Sequence, residues 1–184
     1  MDLRPINPYY RRTIRKSAGK RRAAAAGYSY PYTWLTPVTD RTQKDVDRAK
    51  ALISKGWGDM TDAERAEYNV GLKGCINRKD FERIENNIQI LLDVLEIDSE
   101  SHVGSIPEFP LDEYFEDMKR NLTAIREGYC IHADTPAVPE LPYNTWTAYN
   151  DIEKILLDVY EVVNAQFHYY TGEVFAGEET GLLL

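Results

Sequence analysis

The chain lacks the motifs by which many soluble enzymes are first recognised. No GxSxG, HExxH, GxxxxGK[ST] or GxGxxG occurs in its 184 residues. The nucleophile elbow, the zinc-protease helix, the phosphate loop and the dinucleotide fold are therefore removed as starting points. Cysteine is scarce: Cys75 and Cys130 lie far apart with no metal-like spacing. Each reads as a small helix-packing residue, and nothing calls for an oxidising compartment. Long hydrophobic runs are missing too. The most apolar stretch, residues 88–97, is interrupted by Gln89, Asp93 and Glu96, well short of the roughly 20 apolar residues of a membrane span. The basic N-terminus leads into Ala and Tyr rather than a long apolar core, so no secretory leader is expected. The reading is of a soluble protein without a membrane partner.

What the sequence does contain is one amphipathic pattern used repeatedly. In residues 77–95, Phe81, Ile84, Ile88, Leu91 and Leu95 fall at spacings of three and four, which places them on one stripe of a helix. Glu82, Arg83, Glu85, Asn86, Gln89 and Asp93 take the other faces. The pattern returns twice at intervals of 34 residues. Phe81, Ile84, Asn87 and Ile88 become Phe115, Met118, Asn121 and Leu122, and then Tyr149, Ile152, Ile155 and Leu156. A fainter copy lies upstream at Val46, Ala49, Leu52 and Ile53. Each copy needs neighbours to cover its stripe. The expected fold is all-α: a small bundle of repeated amphipathic helices, closed or stacked, preceded by an extended basic arm.

Along the chain, residues 1–32 mix Pro5, Pro8, Gly19, Gly27 and Pro31 with basic residues and show no apolar periodicity, so they form no core of their own. Residues 33–172 read as the bundle and 173–184 as a tail whose Leu182–Leu184 end covers part of the bundle or meets a partner. Pro37 biases Thr36 toward extended backbone. Trp34 and Leu35 offer a buried anchor, and Asp40 or Thr42 caps a helix over about residues 43–54. Gly56 and Gly58 end that helix, and Thr61 with Glu64 forms a capping box for a second running to about residue 72. Asn77 opens the third. Residues 98–110 are a surface connection, 111–127 a helix with Leu111, Phe115, Met118, Leu122 and Ile125 inward, and 128–142 a Pro-rich loop. The last helix starts near Thr145 and runs for about 22 residues, roughly 33 Å.

Charge is divided unevenly. Residues 1–22 carry a net +7 within a total of −8, leaving −15 for the rest. Three readings of the arm are open: a solvated tail, a nucleic-acid-binding arm, or an arm lying on an acidic surface of a neighbouring subunit. The acidic body would repel a polyanion, so nucleic acid is not the expected partner. The residues expected to make the contact with a neighbour are Tyr9, Tyr10, Arg11, Arg12, Arg15, Lys16, Lys20, Arg21, Arg22, Tyr28, Tyr30 and Trp34, since aromatic and arginine side chains anchor interfaces.

Candidate chemistry is sparse. His102 and His132 fall in connecting loops and read as solvated or locally hydrogen-bonded. His132 with Asp134 supplies two metal donors without a third. His168 sits near a helix C-terminus, where it interacts with the helix dipole. Glu82, Glu85, Glu113, Glu116, Asp151 and Glu153 read as solvated helix faces, although a glycosidase-type pair could be sought among them. Asn86 and Asn87 are poor interior helix residues, and either bond a crossing segment or are tolerated at the surface. The acceptor pattern Asn121-Leu-Thr123 lies inside a helix and is discounted. No catalytic residue, cofactor, metal or small-molecule substrate is assigned.

Several stretches taken together resemble a known group: W-x-T-P-x-T-D-R-T at Trp34 to Thr42, K-G-W at Lys55 to Trp57, M-T-x-A-E-R-A-E-Y at Met60 to Tyr68, G-L-K-G at Gly71 to Gly74, and N-R-x-D-F-x-R-I-E-N-N-I at Asn77 to Ile88. The chain is similar, over about residues 32–160, to small helical tail and baseplate proteins of phages and prophages of Gram-positive bacteria. The basic Tyr-rich arm departs from that family. The resemblance implies a virion structural protein made in the host bacterial cytoplasm, an adaptor subunit whose partners are other tail proteins and copies of itself. A particle-borne cell-wall hydrolase and a nucleic-acid-binding connector are the alternatives.

Overall fold

The computed structural model describes the backbone of residues 32–171 and the side chains of residues 32–165. The arm residues 1–31 and the tail 172–184, with the expectations attached to them, lie outside the described residues. Among the described residues five α-helices follow in order: α1 (Gln43–Lys55), α2 (Asp62–Val70), α3 (Arg78–Leu95), α4 (Asp112–Gly128) and α5 (Trp146–Thr171), with a 3-10 turn at Trp57–Asp59. No strand occurs among the described residues, and the all-α bundle expected from the sequence is the architecture found.

The helix starts follow from local chemistry. Thr42 and Asp45 form a capping box on α1, Thr61 and Glu64 on α2, and Asn77 and Asp80 on α3. Each pair satisfies backbone N–H groups that the first turn leaves without partners. The Lys55 ammonium, hydrogen-bonded to Glu64, helps hold that carboxyl at about 2. At α4 the N-cap is Leu111, which makes no capping bond and is 73% exposed. Its expected inward orientation is thus corrected: it precedes the first turn and falls outside the stripe. Helix α5 runs for 26 residues rather than 22.

The core is built by α3, α4 and α5. Ile84, Ile88, Leu91 and Leu92 from α3, Met118, Leu122 and Ile125 from α4, and Ile152, Leu156 and Val159 from α5 are completely or almost completely removed from solvent. The three helices run parallel. Near their N-termini the Phe81 ring lies 6.1 Å from Phe115 and 6.3 Å from Tyr149, the three equivalent positions of the 34-residue repeat. At the other end Val94 and Val163 line one cleft, and Ile97 lies 3.4 Å from where a Cβ on Gly128 would stand.

Parallel neighbours need connections that travel back the full helix length, about 27 Å for α3 at 1.5 Å per residue. Extended straps do this. Strap 1 (32–42) lies between α5 and α3, strap 2 (96–111) between α3 and α4, and strap 3 (129–145) between α4 and α5, as their hydrogen bonds below establish. Each repeat of the sequence is therefore a strap followed by a helix. Straps 2 and 3 carry matching motifs, Ile-Pro-Glu-Phe-Pro at 106–110 and Val-Pro-Glu-Leu-Pro at 138–142, the second with a cis Leu141–Pro142 bond. In the first repeat, α1 and α2 are inserted between strap and helix.

That insertion forms a small lobe with its own core of Ala49, Leu52, Met60 and Leu72, flanked by Cys75. Ile53, placed on the stripe by the sequence, is exposed instead. The lobe is closed at Gly74, where a Cβ would stand 2.1 Å from the Asp45 carbonyl oxygen. Gly74→Ala should therefore push the 71–76 corner off α1 and cost about 2 kcal/mol or more. Urea unfolding followed by circular dichroism will show a lowered midpoint for this variant, and an unchanged midpoint would contradict the close approach.

Candidate functional site

Several of the polar residues singled out in the sequence, Asn86, Asn87, Glu85 and Glu153 among them, bind the straps. Strap 1 passes through the densest group. Arg41 is 2% exposed. Its Nη2 donates to Asp80 Oδ1 at 3.0 Å and Glu153 Oε1 at 2.8 Å, and its Nη1 to the Val38 carbonyl at 2.6 Å. Arg83 donates to Asp80 at 2.6 Å and to both Glu153 oxygens at 2.8 Å. Two guanidinium groups thus face two carboxylates with almost no water. Burial works against the Arg83 charge, but the bonds to Glu153 and Asp80 outweigh it and raise its pKa. Glu153 Oε2 also accepts the Val38 N–H at 2.7 Å, while Asn150 brackets the Arg41 backbone from both sides.

The two asparagines of α3 bind the same strap. Asn87, 1% exposed, accepts from the Leu35 N–H at 3.0 Å and donates to the Leu35 carbonyl at 2.6 Å. Asn86 donates to the Thr33 carbonyl. Of the two readings open for these residues, the crossing segment is the one found. Asn121, one repeat later, does the same for strap 2, donating to the Glu100 carbonyl and accepting from Ser99. Strap 3 is held by Thr135 donating to the buried Asp158, and by Arg126 donating to the Pro136 carbonyl.

Glu85 is the second carboxylate misplaced by the sequence reading. Both it and Glu153 were expected on solvated faces, and both are buried, because they flank the apolar stripe on the side a strap covers. Glu85 Oε2 accepts the His102 N–H at 2.9 Å. The His102 ring meets Asp117 at 3.2 Å and lies 5.0 Å from the Tyr114 ring. Desolvation raises the Glu85 pKa against the lowering effect of the His102 amide. Burial, then the Glu85 charge, raises that of Tyr114, whose hydroxyl is near Glu85 without a well-formed hydrogen bond. An acid with an elevated pKa can in principle deliver a proton. Here strap 2 covers it, and it faces backbone.

Among the described residues no group of three His, Cys, Asp or Glu is placed to hold a metal. Asp134 instead pairs with Lys154 at 3.5 Å. Cys130 is exposed in strap 3, which corrects its reading as a packing residue, while Cys75 is half-buried against the lobe core. The His168 side chain lies outside the described ones. No described helix is long and apolar enough to cross a membrane.

Of the residues expected at a partner contact, Tyr9, Tyr10, Arg11, Arg12, Arg15, Lys16, Lys20, Arg21, Arg22, Tyr28 and Tyr30 lie outside the described residues. Trp34 is half-buried and stacks on Tyr160 of α5, centroids 3.8 Å apart and planes within 8°. Leu35 beside it is 41% exposed, not the buried anchor expected. Accessible apolar surface concentrates elsewhere: Phe109 (77%) and Leu111 ahead of α4, and Val70 (78%), Trp57 and Tyr68 on the lobe, with Arg65 over the Trp57 ring. Sequence reasoning missed Arg41, Asp80 and Asp158. The available signal was that Glu85 and Glu153 are two 34-residue steps apart, as Asn87 and Asn121 are one. No family model matches the chain, and no curated protein or solved structure is significantly similar to it.

Two outcomes are expected. Arg41→Ala leaves Asp80 and Glu153 short of a buried cation and lowers stability by about 3–5 kcal/mol, read as a fall in the urea midpoint. Glu85 has a folded pKa above its unfolded value, so the folded state holds more protons. Stability therefore falls as pH rises from the ordinary glutamate range through the raised value. Glu85→Gln, which keeps an acceptor for the His102 amide, should flatten that decline in melting temperature; parallel curves for the two proteins would refute the assignment.

Proposed function

We propose that this protein is a structural subunit of a phage tail or baseplate, an adaptor that acts through its surfaces. One observation carries the reading: the buried carboxylates nearest to a catalytic arrangement, Glu85, Asp80 and Glu153, are engaged in holding straps. What remains accessible is apolar and charged exterior, including Phe109, Leu111, Val70 and Trp57. Broad surfaces with aromatic and arginine groups suit protein contact. The motifs that carry the family resemblance, residues 34–88, fall on strap 1, the α1–α2 lobe and the first half of α3, so the resemblance concerns one continuous piece of this architecture.

In this reading the +7 segment of residues 1–22 is drawn to the acidic exterior of a neighbouring subunit, and an arm ordering as it binds suits lasting assembly better than brief encounter. Partners are other tail or baseplate proteins and further copies of this chain. Immunolabelling of purified particles is expected to place the chain at the tail or baseplate. Deletion of residues 1–22 should reduce its incorporation, whereas particles without the chain, or an inert deletion, would refute the role.

A further inference from the structure

Helix α2 differs from the other described α-helices in burying nothing. None of its nine residues is buried, and only Glu64 and Arg65 are half-buried. A helix so short is marginal in water by itself and draws its stability from a covered face. Ion pairs of Arg48 with Glu64 and Glu67, and of Lys55 with Glu64, hold one side of it to α1. The next side, one residue on, carries Arg65 and Tyr68. Tyr68 is 44% exposed and meets the half-exposed Trp57 with ring centroids 5.9 Å apart, while the Arg65 guanidinium lies 5.8 Å from the Trp57 ring. Val70, 78% exposed, ends the same helix, and Ile53 is exposed on α1. The lobe thus displays more large apolar side chains than its own small core of Ala49, Leu52, Met60 and Leu72 can cover.

We propose that this face meets the same face of a second copy, two lobes packing about a two-fold axis with Trp57 and Tyr68 at the centre. Charge selects the occupant. Residues 43–74 sum to zero, and the ion pairs to α1, together with Arg65 and Asp62 at 3.3 Å, neutralise the face within one protomer. Residues 75–165 sum to −12. The other exposed apolar patch, Phe109 and Leu111, lies among the exposed Glu108, Asp112 and Glu113, none of which pairs with a cation among the described residues. Two such patches brought together would oppose like charges. Two lobes would not. A two-fold contact also needs a self-complementary surface, and Arg65 beside the fully exposed Asp62 supplies both signs, so that each guanidinium can turn to the carboxylate of the other copy. Trp, Tyr and Arg are moreover the side chains on which the binding energy of interfaces concentrates.

The inference deepens the proposed function. It rests on the reading that the chain works through its surfaces, and it assigns one surface to one partner, a second copy.

Sedimentation velocity of the purified full chain over a wide range of concentration tests it. A monomer–dimer equilibrium is expected, with nothing larger. Trp57→Ala should weaken the dimer at least about thirtyfold. Val70→Lys, which sets like charges near the axis, should weaken it too, and Phe109→Ser should leave it unchanged. A chain that stays monomeric, a dimer indifferent to Trp57 and Val70, or a dimer lost in Phe109→Ser would overturn the assignment. Growth beyond the dimer would also overturn it, by making the contact head-to-tail. Should circular dichroism show that Trp57→Ala disturbs the helices, Val70→Lys, at an exposed helix end, decides the matter. A monomeric free chain sinks this inference and leaves the particle labelling to judge the function; a chain missing from particles sinks the function and leaves the dimer standing.

Discussion

A backbone amide between two helices must find a partner, and water cannot reach it there. The architecture depends on that constraint. Three helices that all point the same way oblige the chain to return along its own length each time, and the return paths lie in the grooves between helices. Unstructured connections of this length are unusual inside compact proteins. They are tolerated here because helix side chains stand in for the missing ladder. Asn87 takes both polar groups of Leu35, Asn121 does half of this for Glu100, and Glu85 and Glu153 each accept one strap N–H.

The arginine-carboxylate quartet beneath strap 1 carries a further role. Burying four charges is expensive, and an apolar replacement of similar volume is often as stable. What such a cluster supplies is uniqueness of register. Asp80 caps α3, Glu153 belongs to α5 and Arg41 belongs to strap 1, so one set of bonds fixes three segments relative to one another. A slip of one residue along the strap would replace Arg41 by Asp40 or Thr42 and leave two carboxylates facing Arg83 alone. The same bonds also fix where the α1–α2 lobe is attached, since α1 begins two residues after Arg41.

Much of the fold was legible in the sequence because it rests on local rules. The Thr61–Glu64 capping box, the helix start at Asn77, Thr42 as one of two caps offered for α1, the stripes of α3, α4 and α5, and their recurrence every 34 residues follow from short-range chemistry and helix periodicity; the boxes completed by Asp45 and Asp80 were not read. Helix direction was not legible, because a stripe is the same whether its neighbour is parallel or antiparallel, and only the strap lengths distinguish the two. The buried carboxylates escaped for a related reason. Glu85 and Glu153 are charged residues at the margin of a stripe, a place that is solvated in a helix packed on one side and buried in one that a strap also crosses. Leu111 and Leu35 failed in the opposite sense: apolar residues just outside a regular element, with no neighbour to cover them.

The way the ring closes bears on how the protein is made. Strap 1 leaves the ribosome before any helix of the core, yet it is fastened by Glu153 and Asn150 of the last helix, more than a hundred residues downstream. Contacts of such wide separation in sequence slow folding. The growing polypeptide must therefore keep strap 1 waiting, with Arg41 in water, until α5 has been made. Closure is then a single event, and a translation product ending before α5 would lack the means to lock strap 1 in place.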